Sequence, residues 1–409
     1  MNKKNIEEMK PQRYKFVLFL FLLLVQFFGL TIASAHAFYY VFTPLLLFFF
    51  CKKYKSIPLY RKELLLFLFF IICSCIYSAI YNGQSFLKTF VASLDFFGMI
   101  SLFILAYYKV PLKESKKLLI TISLLFCICY IIQWIIYPTI LFSGATDETN
   151  ISGSYFRMRM QGSICTYILY FYGLNELLLT KRIKNIVYMV LGGIPIIVMG
   201  FRSLTALTLI CSVILFLFLS AKSKKTILWV IPLGGILYFS TTLPVVSNKI
   251  DEMMERQDSD QTFANEDYIR YIEFDYFSKE VFTKPGEKIF GGGTPVYDGN
   301  HYAKILETAY QVYGWYWVDL GLIGLSFIIG IPAILIIFWL VFKSVKFCRN
   351  PEFQFLRFTL ITVFLGSIMT SKEIYRTGNM IVIGVILYII YLSNIQINQQ
   401  NEHRNINLS

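Results

Sequence analysis

Arg202 is the residue whose position most needs a chemical reason. It lies in Gly200-Phe201-Arg202-Ser203-Leu204-Thr205, where one apolar run ends and the next begins. A helix that starts there carries partial positive charge at its N-terminus and repels a cation. An arginine at a membrane boundary also costs dehydration, up to ~2.5–3.5 kcal/mol if it lies deep. The site becomes favourable if it holds an anion, because helix-terminal N–H groups and a guanidinium then converge on one phosphate. The other reading is an interfacial anchor that snorkels to water. Arg270 has Glu266 four residues before it and Glu273 three after it, the spacing of helix-surface ion pairs. His301 is the one histidine in its polar stretch, and its neutral form near pH 7 can act as a base. Around it Tyr297, Tyr302 and Tyr310, with Tyr313, Trp315, Tyr316 and Trp317, form an interfacial belt or a stacking surface for sugar rings. One ring can serve both roles. Arg157 and Arg159 add two cations in another polar stretch, and Lys372, Glu373 and Arg376 lie in a third.

These residues need a frame, and the composition sets it. The chain has 409 residues, 56% apolar and 15% charged, with mean hydropathy +0.59. A soluble domain carries roughly a quarter charged residues, so a purely soluble chain is excluded, as are disordered and collagen-like ones. A bilayer takes about 20 apolar residues of helix. Twelve runs qualify, starting near Phe16, Ala37, Leu64, Thr89, Leu118, Gln161, Asn185, Ser203, Thr226, Trp317, Phe355 and Asn379. The expected fold is an all-α integral membrane protein of about 12 transmembrane helices with one large extracytoplasmic loop. Residues 1–243 then hold the first nine helices and 244–316 the loop. Residues 317–394 hold the last three helices, and 395–409 form a tail.

Basic residues orient the frame. With the N-terminus inside, 25 of the 38 Lys and Arg fall on the inner side, and every short inner loop is basic. The net charge of +13 therefore reads as topology and not as nucleic-acid binding. Both termini are expected in the cytoplasm. The loop at 244–316 falls outside and carries 13 of the 25 acidic residues. Within it Asn265–Thr283 reads as a helix with Ile269, Ile272 and Tyr276 on one stripe, ended by Lys284-Pro285-Gly286. Asp258-Ser259-Asp260 has the spacing of a metal-dependent sugar-nucleotide site, yet it lies outside, where nucleotide sugars are not supplied. None of the eight cysteines lies in that loop, so no disulfide framework is expected. Asp95 and Asp319 are acids at membrane segments and are candidates on that ground.

Three patches together resemble the bacterial O-antigen and capsular polysaccharide polymerase (Wzy-type) and O-antigen ligase family. Phe201-Arg202-Ser203-Leu204-Thr205-Ala206-Leu207 is similar to its S-R-(T)-A-L motif at an outer helix start. Asp267-Tyr268-Ile269-Arg270, Phe282-Thr283-Lys284-Pro285 and Ile289-Phe290-Gly291-Gly292-Gly293 are similar to its loop pattern. Asn300-His301, Glu307-Thr308 and Asp319-Leu320-Gly321-Leu322-Ile323-Gly324 are similar to its H-N, E-S and E-x-G-x-x-G pieces. Here Phe201 replaces a small residue, and Asn300 precedes His301 instead of following it.

The resemblance implies a C-type glycosyltransferase of the bacterial cytoplasmic membrane. Its substrates would be undecaprenyl-pyrophosphate-linked oligosaccharides. Arg202 and Arg270 would bind the pyrophosphate, with Arg157 or Arg159 assisting, and His301 or Glu307 would be the general base. It implies no metal or other cofactor, inversion at the anomeric carbon, and membrane lipids, a chain-length regulator and a flippase as partners. A ligase that delivers glycan to a lipid or wall acceptor, and a lipid-linked oligosaccharide flippase, are the alternatives.

Overall fold

The computed structural model describes residues 9–31, 35–143, 158, 160–220, 269–368, 371–376 and 378–406, and among these the chain is helical, with one isolated β-bridge between Leu30 and Phe142. The N-terminal helices are α1 (Pro11–Leu24), α2 (Ala35–Lys53), α3 (Arg61–Tyr81), α4 (Phe86–Ala92), α5 (Leu102–Tyr107), α6 (Leu112–Ile136), α7 (Ile164–Thr180), α8 (Asn185–Val198) and α9 (Arg202–Ser220). The loop contributes α10 (Ile269–Glu280), α11 (Pro285–Phe290) and α12 (His301–Tyr313). The C-terminal part has α13 (Gly321–Ile329), α14 (Ile331–Phe347), α15 (Gln354–Gly366) and α16 (Asn379–Ile406).

Four of these helices (α3, α6, α9 and α16) are long and apolar enough to cross a membrane, and up to six spans result if each of two bent pairs counts as one. The chain is thus a helical protein with membrane-spanning segments. The run near Thr226 and residues 244–268 of the loop lie outside the described residues.

Two apolar runs differ from the continuous helices their hydropathy predicts. The fourth is bent by 48° between α4 and the stretch Leu94–Tyr107, whose first part, Leu94–Ser101, is a 3-10 helix. Gly98 in that stretch presses on α16, where a Cβ would stand 2.9 Å from the Met380 Cβ. The tenth run is divided into a 3-10 turn at Trp317–Leu320, α13 and α14, with the break at Gly330 (φ 85°). Pro332 sits in the first turn of α14, where its missing N–H costs nothing.

That break is filled by the loop. Gly292 N–H donates to the Phe327 carbonyl (2.7 Å) and Gly293 N–H to that of Ile328 (3.0 Å). The Ser74 hydroxyl of α3 donates to the Ile328 carbonyl as well (2.7 Å). The orphan carbonyls at the end of α13 are thereby satisfied, as an apolar setting requires. Gly291 lies against the Ile328 carbonyl and Gly330 against that of Ile289, so a Cβ at either would collide with backbone. Buried Gln84 fixes the same segment. Its side-chain amide donates to the Ser78 hydroxyl (2.5 Å), and its oxygen accepts from Val296 N–H (2.7 Å).

The loop helices share a second core of Phe277, Val281, Tyr302, Leu306, Ala309, Leu320 and Phe327, which runs straight into α13. The buried line of α10 is Glu273 and Phe277, so the expected stripe of Ile269, Ile272 and Tyr276 is displaced, and Ile269 is half-exposed. Pro285 opens α11 instead of only stopping the helix before it.

Candidate functional site

The two ends of the bundle differ in chemistry. At one end Lys116 of α6 meets Glu176 of α7 (2.8 Å) and Glu352 before α15 (2.7 Å). At that end too, Lys343 of α14 meets Glu63 of α3 (2.7 Å). The other end gathers the starts of α7, α9, α13 and α16, the end of α15 and the loop helices, and the candidate residues are there.

Arg202 is the first residue of α9, one step past Phe201 and two past Gly200, whose φ of 68° turns the chain out of α8. Beside it runs Ser371–Arg376. The Arg376 guanidinium lies 6.0 Å from the centre of the Phe201 ring, cation–π range. Its Nη2 is 2.7 Å from Glu373 Oε1. Both side chains are buried, Glu373 completely. The Ser163 hydroxyl donates to Glu373, and Asn379 Nδ2 donates to the same carboxylate oxygen (3.2 Å) and to Ser163 Oγ (3.1 Å). Asn379 Oδ1 accepts from Ile164 N–H (3.1 Å). This knot ties the starts of α7 and α16 to the segment beside Arg202.

The same segment reaches the loop. The Tyr375 hydroxyl donates to the Gly321 carbonyl (3.0 Å), and its ring stacks on Trp317 at 6.3 Å. Two residues past Trp317, Asp319 lies 3.3 Å from Arg270, which also holds Glu273 at 2.8 Å. Contacts and near neighbours in the chain together link Arg270 through Asp319, Trp317, Tyr375 and Arg376 to Phe201, the residue before Arg202.

Arg270 stands between two carboxylates, one of them buried, so its first role is the joint between α10 and the head of α13. Burial pushes the Glu273 carboxyl above its ordinary value, and Arg270 draws part of that back. The folded protein then holds this proton more tightly than the unfolded chain does. The stability from it is complete below about pH 4.5 and is lost as pH rises through the raised folded value. Glu273→Gln, which fixes the neutral form, is expected to lose less melting temperature over that rise than the wild type. Equal pH slopes for the two proteins would show that Glu273 does not carry the effect.

His301 begins α12 behind the Asn300 cap, whose oxygen accepts from Ala303 N–H (2.7 Å), and it is exposed. Glu307 is six residues on, about 120° round the helix, so the two candidate bases face different directions. Glu307 and Tyr310 lie beside Tyr297. Tyr297 and Tyr310 are 59% and 50% exposed, and Tyr310 packs on Tyr316 at 4.8 Å, an open aromatic surface beside a carboxylate. Tyr302 differs from the sequence expectation. It is 4% exposed, its hydroxyl donates to the Gly293 carbonyl (3.1 Å), and its ring belongs to the loop core, leaving no face for a sugar. Arg157 and Arg159 lie outside the described residues, as does Asp258-Ser259-Asp260.

Sequence reasoning passed over the Ser163–Glu373–Arg376–Asn379 knot. The one signal for it was the spacing of Glu373 and Arg376, three residues apart. No protein-family model matches the chain, and no curated protein does so.

Proposed function

We propose that the protein polymerises lipid-pyrophosphate-linked oligosaccharide repeat units at the outer face of the bacterial cytoplasmic membrane. The observation that carries this reading is the line of contacts and chain neighbours that joins the start of α9, with Arg202, to a loop bearing an open tyrosine surface and two candidate bases. The basic end of the bundle is read as cytoplasmic, following the bias of Lys and Arg toward inner loops. The acceptor sugars and the lipid then meet at the opposite end.

The chemistry follows from the site. No nucleotide is supplied outside the membrane, so the donor must carry its own leaving group, and a lipid pyrophosphate does. The acceptor hydroxyl oxygen attacks the anomeric carbon of the growing glycan. The bond from that carbon to the pyrophosphate oxygen breaks, and its electron pair leaves with the pyrophosphate. The hydroxyl proton passes to His301 or Glu307 as general base. Arg202 meets the charge that grows on the leaving group, where a fixed donor acts most strongly. Tyr297 and Tyr310 offer stacking faces to the sugars.

The test is reconstitution. Purified protein and lipid-linked repeat units in detergent are expected to give a ladder of polymer without any second acceptor. Glycan transferred only when a lipid A core or wall acceptor is added would make the protein a ligase. No new bond, with lipid reorientation in vesicles, would make it a flippase and end the proposal.

A further inference from the structure

The basic end of the bundle carries a row of aromatic rings between α1 and α2. Tyr107 and Tyr108, at the end of α5, have ring centres 5.2 Å apart. Phe16 of α1 packs on Tyr108 at 5.8 Å, and Phe48 of α2 packs on Tyr107 at 6.4 Å. Buried Phe49 holds the row from within, 5.0 Å from Tyr107 and 5.9 Å from Tyr108. Phe16, Phe48 and Tyr107 nevertheless present large parts of their rings to the outside.

Three cations lie on this row. The Arg13 guanidinium is 5.6 Å from the centre of the Tyr108 ring, Lys53 Nζ is 6.0 Å from that of Tyr107, and Lys52 Nζ is 5.9 Å from that of Phe48. At the same end Lys116 and Lys343 are each held by carboxylates, whereas these three are held by ring faces. A cation near the limit of cation–π range is bound more weakly than one that donates a charge-assisted hydrogen bond to a phosphate. The cations can therefore turn to an anion at little cost. Positive charge beside open apolar rings, on a membrane-spanning bundle, matches a molecule with an anionic head and a hydrocarbon tail. A soluble anion would leave Phe16 and Phe48 uncovered, and a neutral lipid would gain nothing from the cations.

We propose that this row is a binding site for an anionic phospholipid, with Arg13, Lys52 and Lys53 at the headgroup and Phe16 and Phe48 along the acyl chains. The cations need not meet on one phosphate, because each adds separately to the attraction of an anionic headgroup. The site lies at the opposite end from the candidate glycan site, and the inference stands apart from the polymerase reading.

The experiment compares phosphatidylglycerol and phosphatidylcholine that carry the same fluorescent acyl chain, by anisotropy, on the full-length protein in detergent. The wild type is expected to bind phosphatidylglycerol at least about tenfold more tightly, the worth of two interfacial cations or less. Arg13→Gln combined with Lys53→Gln is expected to weaken phosphatidylglycerol about tenfold and to leave phosphatidylcholine unchanged. Neither side chain is buried, so the lipid-free melting temperature should stay near that of the wild type. Arg182→Gln combined with Lys184→Gln removes the same charge from exposed positions at the same end. It is expected to change binding by less than about twofold. Equal losses in the two double variants would mean general attraction to a basic face and would overturn the site. Equal binding of the two lipids by the wild type would overturn it as well, and so would displacement of the lipid by inorganic phosphate. Should the double variant melt too low to assay, Arg13→Gln alone is expected to weaken phosphatidylglycerol about fivefold, and unchanged affinity would overturn the inference.

Discussion

Arg202→Lys is expected to lower the rate of polymer formation by about 100-fold or more, the loss seen when one donor to a developing anion is removed. The lysine keeps the charge at the start of α9 but offers a point cation where a planar fork stood. Phe201 and Ser203 stay in place, and Arg202 is only partly buried, so melting temperature and protein level should hold near wild type. In cells the result would read as lipid-linked single repeat units with little long polymer. The fall should appear in kcat as well as kcat/KM, because the interaction strengthens as the leaving group gains charge. Full-length polymer at normal rate from both Arg202→Lys and Arg202→Ala would remove Arg202 from the mechanism.

The second large effect concerns the scaffold. Gly192 of α8 is the point where that helix meets α7. A Cβ there would stand 2.5 Å from the Tyr170 backbone nitrogen and 2.8 Å from the Thr166 carbonyl oxygen. Backbone atoms of a packed helix cannot step aside as a side-chain tip can, and close contact of small residues is how membrane helices associate. Gly192→Ala is therefore expected to destabilise the protein by about 1–3 kcal/mol, the range for overpacking. Its neighbour is the control. A Cβ at Gly193 meets only the Tyr170 ring, at 3.6 Å. There the better helix propensity of alanine should show, a gain of up to about 1 kcal/mol. Melting curves of the two variants in one detergent compare them directly. Equal melting temperatures would mean that α7 and α8 are not this close.

What the residues disclosed in advance depended on how local the cause was. Arg202 was legible at the start of a helix because the conflict between its charge and its position needs only its own neighbours. The pair of Arg270 and Glu273 was legible for the same reason, from a spacing of three. Asp319 as the third member was not, since it comes from the far side of the loop. The knot at Arg376 was less accessible still, because Ser163, Phe201 and the segment from Glu373 to Asn379 belong to three separate stretches of chain. Tyr302 shows the opposite failure. Its residue type suits a sugar platform, and only the contact with Gly292 and Gly293 reveals that the ring is enclosed. Among the spans, hydropathy saw the length of the tenth run but not its break. Gly330 and Pro332 are only two weakly apolar residues inside a long apolar run, and the break follows from the backbone angle at Gly330.

The seating of Gly291, Gly292 and Gly293 on the end of α13 has a practical outcome. Those glycines supply the turn that a membrane helix would otherwise have made for itself. Anyone exchanging the external segment with another chain's, to alter which carbohydrate is handled, must therefore carry the graft through Gly330. A cut made at the apparent membrane boundary would leave the Phe327 carbonyl without its partner in an apolar interior.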